Sequence, residues 1–194
     1  MRRIIFFLII AGCFTFMSMS LSAFAGQCPS EGSAFPEISL PVPQQASEKT
    51  YLGIAETEHF TITQINAPVI IIEIFSMYCP YCQKEAPLIN ELYELIQSKP
   101  SLKDKIKIIG IGAGNTQFEV DFFKSEYSIP FPLLPDESFS VHKSIGEVRT
   151  PYFFVLQIKQ DGSNEIIYSK AGSIQDSQTF LELIVKKTEL EEEG

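Results

Sequence analysis

Val69-Ile70-Ile71-Ile72-Glu73-Ile74-Phe75, followed by Ser76-Met77-Tyr78 and then Cys79-Pro80-Tyr81-Cys82, is the stretch that decides the fold. Its first seven residues are apolar and mostly β-branched, with the single charge of Glu73, which is how a strand buried on both faces reads. After Cys82 the period changes. Leu88, Leu92, Leu95 and Ile96 mark an amphipathic helix that Lys99-Pro100 stops. A Cys-x-x-Cys pair where a buried strand meets a helix points to redox chemistry. Cys79 falls at the helix N-terminus, where unpaired backbone N–H groups and the positive end of the dipole stabilise a thiolate. Cys82 lies one turn inside on the same face, close enough to close a disulfide. One sulfur is then exposed and nucleophilic, and the other is sheltered and resolves the mixed disulfide. A structural disulfide and half of a zinc site share this spacing. Zinc, however, needs four ligands, and the mature chain adds only Cys28, His59 and His142, none at a recognisable spacing.

Outward from this stretch, Ile106 to Ile111 reads as a second buried strand and Phe118 to Tyr127 as a helix with Phe118, Phe122 and Phe123 on one side. Phe131 to Leu134 is a short strand and Ser138 to Ile145 a short helix. Pro151 to Ile158 and Glu165 to Lys170, joined by a turn at Asp161-Gly162, form a hairpin. Phe180 to Val185 closes the chain as a helix with Leu181 and Ile184 inward. Gly26 to Pro43 is a lead-in with a small strand or hairpin around Phe35 to Leu40. Strands alternating with helices, then a hairpin and a helix, imply an α/β protein with a mixed sheet covered on both faces. The segment Gly110-Ile111-Gly112-Ala113-Gly114 lacks the remaining glycine of a dinucleotide loop, and a glycine-permitted turn after a strand is expected instead.

Composition limits the partners. The 194 residues carry 24 acidic and 15 basic side chains, a formal charge of -9, and 45% of them are hydrophobic. That balance argues against nucleic acid, whose affinity rests on clustered Lys and Arg. Arg2 and Arg3 precede the apolar run Ile4 to Ala11, and Ala23-Phe24-Ala25 ends the segment, so residues 1–25 read as a signal peptide cleaved after Ala25. Its removal with Arg2 and Arg3 takes the charge from -9 to -11. The same stretch is long enough for a membrane anchor, and Ile10-Ala11-Gly12-Cys13 resembles a lipobox. All three readings put residues 26–188, one domain, outside the cytoplasm, where disulfide chemistry is possible. Residues 189–194 read as a frayed acidic tail.

The chain resembles the thioredoxin superfamily, and within it the extracytoplasmic TlpA/ResA-like branch, from about Phe35 to Val185. Glu73, six residues before Cys79, takes the place of the buried acid on the thioredoxin strand. Pro87 matches the proline of the active-site helix, and Cys82-Gln83-Lys84-Glu85-Ala86-Pro87 looks like the C-x-x-E-x-P run of the branch. Thr150-Pro151 looks like the cis-proline pair that faces the disulfide. Tyr78 stands where the branch usually has Trp, and Pro80-Tyr81 is a glutaredoxin-like dipeptide. The resemblance implies a three-layer thioredoxin-like fold with an N-terminal hairpin and an extra helix and strand between Gly112 and Pro135. It implies Cys79, Cys82, Glu73 and Glu85 as the catalytic set, and Tyr78, Pro80, Tyr81, Thr150 and Pro151 against the substrate. A buried carboxyl such as Glu73 suits proton transfer from Cys82. No cofactor is implied beyond the redox-active Cys79–Cys82 disulfide.

The function so implied is an extracytoplasmic thiol-disulfide oxidoreductase that reduces disulfides in exported proteins and is recharged by a membrane electron donor. Three other functions compete. A DsbA-like oxidant uses the same fold in the opposite direction. A peroxiredoxin-like peroxidase is echoed by Ser76-x-x-Cys79 and Phe131 to Asp136, although Ile72 occupies the position expected for its proline. A copper-binding chaperone would use Cys79, Cys82 and His142, and Cys28 is assigned no role.

Overall fold

The computed structural model describes residues 27–190 apart from residue 56, so the expected leader and the last four residues of the tail lie outside the described residues. The central strand β3 (Val69–Phe75) is buried along its whole length, as its β-branched run requires. It pairs in parallel with β4 (Ile106–Ala113), which pairs in parallel with β5 (Leu133–Asp136). On its other side β3 pairs antiparallel with β6 (Tyr152–Ile158), followed by β7 (Asn164–Ala171), giving the order β5-β4-β3-β6-β7. A bulge between Val155 and Leu156 shifts the β6–β7 register.

Alternation along β3 divides the core in two. Val69, Ile71 and Phe75 face helices α2 (Pro80–Ser98) and α5 (Ser177–Thr188), together with Val120 and Phe123 of α3 (Gln117–Glu126). Ile70, Ile72 and Ile74 face the lead-in residues Phe35 and Leu40, Leu52 of α1 (Ala46–Leu52), and Val141 of α4 (Ser140–Ser144). A mixed sheet between two helical layers is thus the architecture. Among the described residues no helix is long and apolar enough to cross a membrane.

Several elements depart from the sequence reading. The N-terminal hairpin is a two-residue antiparallel pair, β1 (Leu40–Pro41) with β2 (His59–Phe60), and α1 lies between its strands. Helix α3 is present, but Phe118 (78% exposed) and Phe122 (51%) face solvent, and Val120 with Phe123 make the inward face. The expected stripe chose the wrong aromatics because Phe118 and Phe122 share a face four residues apart, while the helix docks through the face three residues apart. Of the glycine cluster only Gly114 makes the turn, at φ 67°. Gly110 and Gly112 lie inside β4, where an added Cβ at Gly110 would meet Leu133 at 2.4 Å. At the C-terminus Glu189 leaves α5 in the left-handed conformation and Leu190 packs against the core.

The chain enters the domain along the outer rim of β7. Gly32 N–H donates to the Ile166 carbonyl at 2.8 Å, and Ile166 N–H donates to Ser33 at 2.9 Å. Cys28 Sγ lies 3.1 Å from Tyr152 Oη, which is 2.8 Å from Ser169 Oγ. Tyr152 packs with the core on the face of the sheet opposite Cys82, so Cys28 is not brought to the cysteine pair.

Candidate active site

The site forms where β3 ends and α2 begins. Cys79 is the N-cap of α2, with Pro80 in the first turn. Proline suits that position because its missing N–H would have no helical partner there. Asn115 holds the approach to the helix. Fully buried in the loop after β4, it accepts the Met77 N–H on Oδ1 at 2.9 Å. The Met77 carbonyl in turn accepts Gln83 Nε2 at 2.9 Å, and Cys79 N–H donates to Ser76. Residues 76–79 are therefore pinned from both sides.

Cys79 is half-buried and Cys82 fully buried, both as free thiols. Partial burial opposes ionisation of Cys79. Hydrogen bonds from the Thr150 side chain and from Cys82 and Tyr81 outweigh it and hold the thiol below its ordinary range. In its protonated form Cys79 Sγ donates to the Thr150 carbonyl at 3.4 Å. Cys82 behaves in the opposite way. Burial, reinforced by the Glu73 charge, pushes its thiol well above the usual range. The two sulfurs of one motif are thus driven apart in acidity by one turn of helix.

Glu73 points from β3 toward the α2 layer, sharing the face of Val69, Ile71 and Phe75. It is buried, and burial, then the charges of Glu85 and Cys79, push its carboxyl up to about 8. Glu85 is also buried, at 2% exposure, and its Oε1 accepts the Ile174 N–H at 2.8 Å. Glu85 is therefore not a solvated helix-surface residue. Pro87 lies inside α2.

Opposite the pair, the Thr150–Pro151 bond is cis. Beside this corner lies a cavity of about 460 Å³ whose walls include Tyr81, Leu88, Thr150, Pro151 and Gly172. Lys84 and Arg149 stand at its rim and Glu85 reaches it from α2. Tyr81 is exposed. Tyr78, also exposed, donates its hydroxyl to Glu119, whose other carboxylate oxygen accepts from Thr116 in the capping box of α3. The structure therefore gathers Cys79, Cys82, Glu73, Glu85, Tyr81, Thr150 and Pro151 at one end of the sheet, with Tyr78 turned toward α3.

Sequence reasoning missed four participants. Asn115 carried no signal, since one amide in a glycine-rich loop is indistinguishable from a turn residue. Glu119 was findable, because Thr116-Gln117-Phe118-Glu119 is a capping-box pattern. Lys84 and Arg149 are 65 positions apart and meet only through the fold. His142 is half-buried, and its Nε2 is 2.8 Å from the Val148 carbonyl. Among the described residues no three His, Cys, Asp or Glu side chains converge to hold a metal.

Known proteins share both sequence and fold. Thiol-disulfide oxidoreductase ResA of Bacillus thuringiensis subsp. konkukian is 29% identical over 151 residues, covering 72% of this chain and 80% of that protein. ResA of Geobacillus thermodenitrificans is 23% identical, covering 69% and 72%. Among solved structures, StoA from Bacillus subtilis superposes with a TM-score of 0.52 at 22% identity over 69% of this chain and 94% of its own. The thioredoxin domain of a thiol-disulfide oxidoreductase from Bacteroides vulgatus does so with a TM-score of 0.59 at 12% identity over 80% and 99%. Both structural matches establish a thioredoxin-like fold. The sequence profile of the AhpC/TSA family matches residues 31–174, a span that holds β3, the cysteine pair and the Thr150–Pro151 corner, and the chain belongs to that thioredoxin-like family.

Proposed function

We propose that this thiol-disulfide oxidoreductase works as a reductase of disulfides in exported proteins, with Cys79 as the attacking sulfur and Cys82 as the resolving one. The observation that carries this reading is the opposite treatment of the two thiols. Cys79 is reachable and held toward its thiolate, whereas Cys82 is buried and held as the thiol.

The Cys79 thiolate attacks one sulfur of a substrate disulfide. A Cys79–substrate S–S bond forms as the substrate S–S bond breaks, and the first substrate thiolate leaves. Cys82 then gives its proton to the Glu73 carboxylate and attacks Cys79 Sγ. The Cys79–Cys82 bond forms, the second substrate thiolate leaves, and two electrons have passed to the substrate. A membrane-bound dithiol donor returns the pair to its reduced form. Glu85 supports the site by raising the Glu73 carboxyl and by holding Ile174 beside the groove. The leader read in residues 1–25 supports an extracytoplasmic location, with the N-terminus as the tether where that leader is retained.

Titration of the pair against glutathione tests the direction. A reductase is expected near about -270 mV, and a value near about -120 mV would make the protein an oxidant instead.

A further inference from the structure

The exposed charges at the groove beside the cis-proline corner run against the charge balance of the chain. The chain as a whole is acidic, at -9. At the groove, however, the two exposed charged side chains, Lys84 and Arg149, are both cations, and the one acid, Glu85, is buried with an oxygen taken by Ile174 N–H. Lys84 comes from the second turn of α2 and Arg149 from the loop before Pro151, so they flank the cavity from opposite elements. Among the described residues neither cation is in an ion pair, although Lys159, Lys187 and Lys124 each have an acidic partner. Lys84 Nζ instead stands 6.0 Å from the centre of the exposed Tyr81 ring.

Between the cations the walls are largely apolar, through Tyr81, Leu88 and Pro151. Gly172 leaves one side open. Its φ of +96° disfavours any side chain, and a Cβ there would meet nothing within 4 Å. The Pro151 carbonyl is taken by Gly172 N–H at 2.9 Å, whereas the Thr150 carbonyl faces Cys79. An extended strand can therefore lie across the corner, with one apolar side chain in the cavity and its flanking positions beside Lys84 and Arg149.

We infer that the groove selects an extended peptide whose half-cystine is flanked by Asp or Glu, with Lys84 and Arg149 as its specificity-determining residues. This rests on the reductase reading and names the substrate class of that site. Each cation attracts an acidic flank and repels a basic one, so the effect is read most clearly in the rate ratio between opposite charges. Two partly desolvated rim contacts give a ratio of about tenfold at low salt.

The test uses the pre-reduced protein as the only reductant and disulfide-linked peptide dimers that differ only in the two residues flanking each cysteine, Glu, Ala or Lys. In a single turnover each protein molecule gives one electron pair, so one peptide disulfide becomes two thiols as the Cys79–Cys82 bond forms. The Glu peptide is expected to react about tenfold faster than the Lys peptide, with the Ala peptide between them and the ratio falling as salt rises. Lys84→Glu with Arg149→Glu should bring the ratio to one or below, and Lys186→Glu on the exposed face of α5 should keep the parental ratio. A parental ratio near one, or one that survives the double reversal, overturns the inference while leaving the reductase reading intact. If none of the three peptides is reduced, it is the reductase reading that fails.

Discussion

Cys79 Sγ lies 3.4 Å from the carbonyl oxygen of Thr150, a residue 71 positions further along the chain. The sulfur proposed to attack is thereby set against the corner that a substrate strand would cross, with its partner Cys82 buried behind it. Alkylation should distinguish the two thiols. With iodoacetamide at pH 7, Cys79 should be labelled roughly 100-fold faster than Cys82, because thiolate fraction and access both favour it. Peptide mass spectrometry over time reads this directly, and equal rates would refute the assignment of roles.

Substitution gives a second view of the same asymmetry. Cys82→Ser should leave substrates attached to Cys79 as mixed disulfides that a reductant releases, because no second thiol remains to displace them. Cys79→Ser should accumulate none. Non-reducing gels of the two variants with a disulfide-linked peptide separate these outcomes, and equal trapping would count against Cys79 as the nucleophile.

In the proposed reaction the buried carboxyl of Glu73 sets the pH dependence of the second step. Glu73 accepts a proton only when ionised, and its carboxyl is pushed up to about 8. Collapse of the Cys79 mixed disulfide should therefore accelerate about tenfold per pH unit below 8 and level off above it. Glu73→Gln should slow the step by roughly 10- to 100-fold and remove the bend near pH 8. A stopped-flow profile that kept its bend in the variant would assign the proton to another group.

Stability should follow the same carboxyl with a defined sign. The folded-state value of about 8 lies above the ordinary 4.5, so the fold favours the protonated form. That contribution is complete below about pH 4.5 and is lost as pH rises toward 8. Glu73→Gln cannot ionise. Relative to the parent it should gain roughly 2 to 4 kcal/mol between pH 5 and pH 9 by linkage. Urea midpoints at the two pH values measure this, and parallel shifts in both proteins would contradict it.

Asn115 should matter beyond its size. Truncation in Asn115→Ala removes the acceptor of the Met77 N–H at a fully buried position. The loss is expected to be about 1 to 3 kcal/mol in urea unfolding, with faster hydrogen exchange at Met77. Unchanged exchange at Met77 would mean that the loop is held by other contacts.

How much of this was legible in the sequence varied by residue. Val69 to Phe75 and the helix after Cys82 were readable because a continuous β-branched run and a 3.6-residue stripe each admit few structures. Glu73 was conspicuous as a charge among aliphatics. Glu85 was not, since a glutamate on a helix reads the same whether it meets water or, as here, the Ile174 N–H. Helix α1 was hidden because only Leu52 of its seven residues is buried, leaving no stripe to detect. Phe118 and Phe122 show the opposite failure, in which aromatic spacing imitates a core stripe on a face that the fold leaves in solvent. The groove cations Lys84 and Arg149 are joined only by tertiary structure, which no local pattern encodes.

The lead-in bonded to Ile166 has a consequence for how the domain keeps to itself. One margin of the sheet ends in β5, only four residues long, and the middle of the other margin is occupied by Gly32 and Ser33 of the lead-in. Neither side offers a neighbouring molecule a long run of unsatisfied amides on which to zip. The stretch around Gly32 and Ser33 therefore doubles as a guard against self-association.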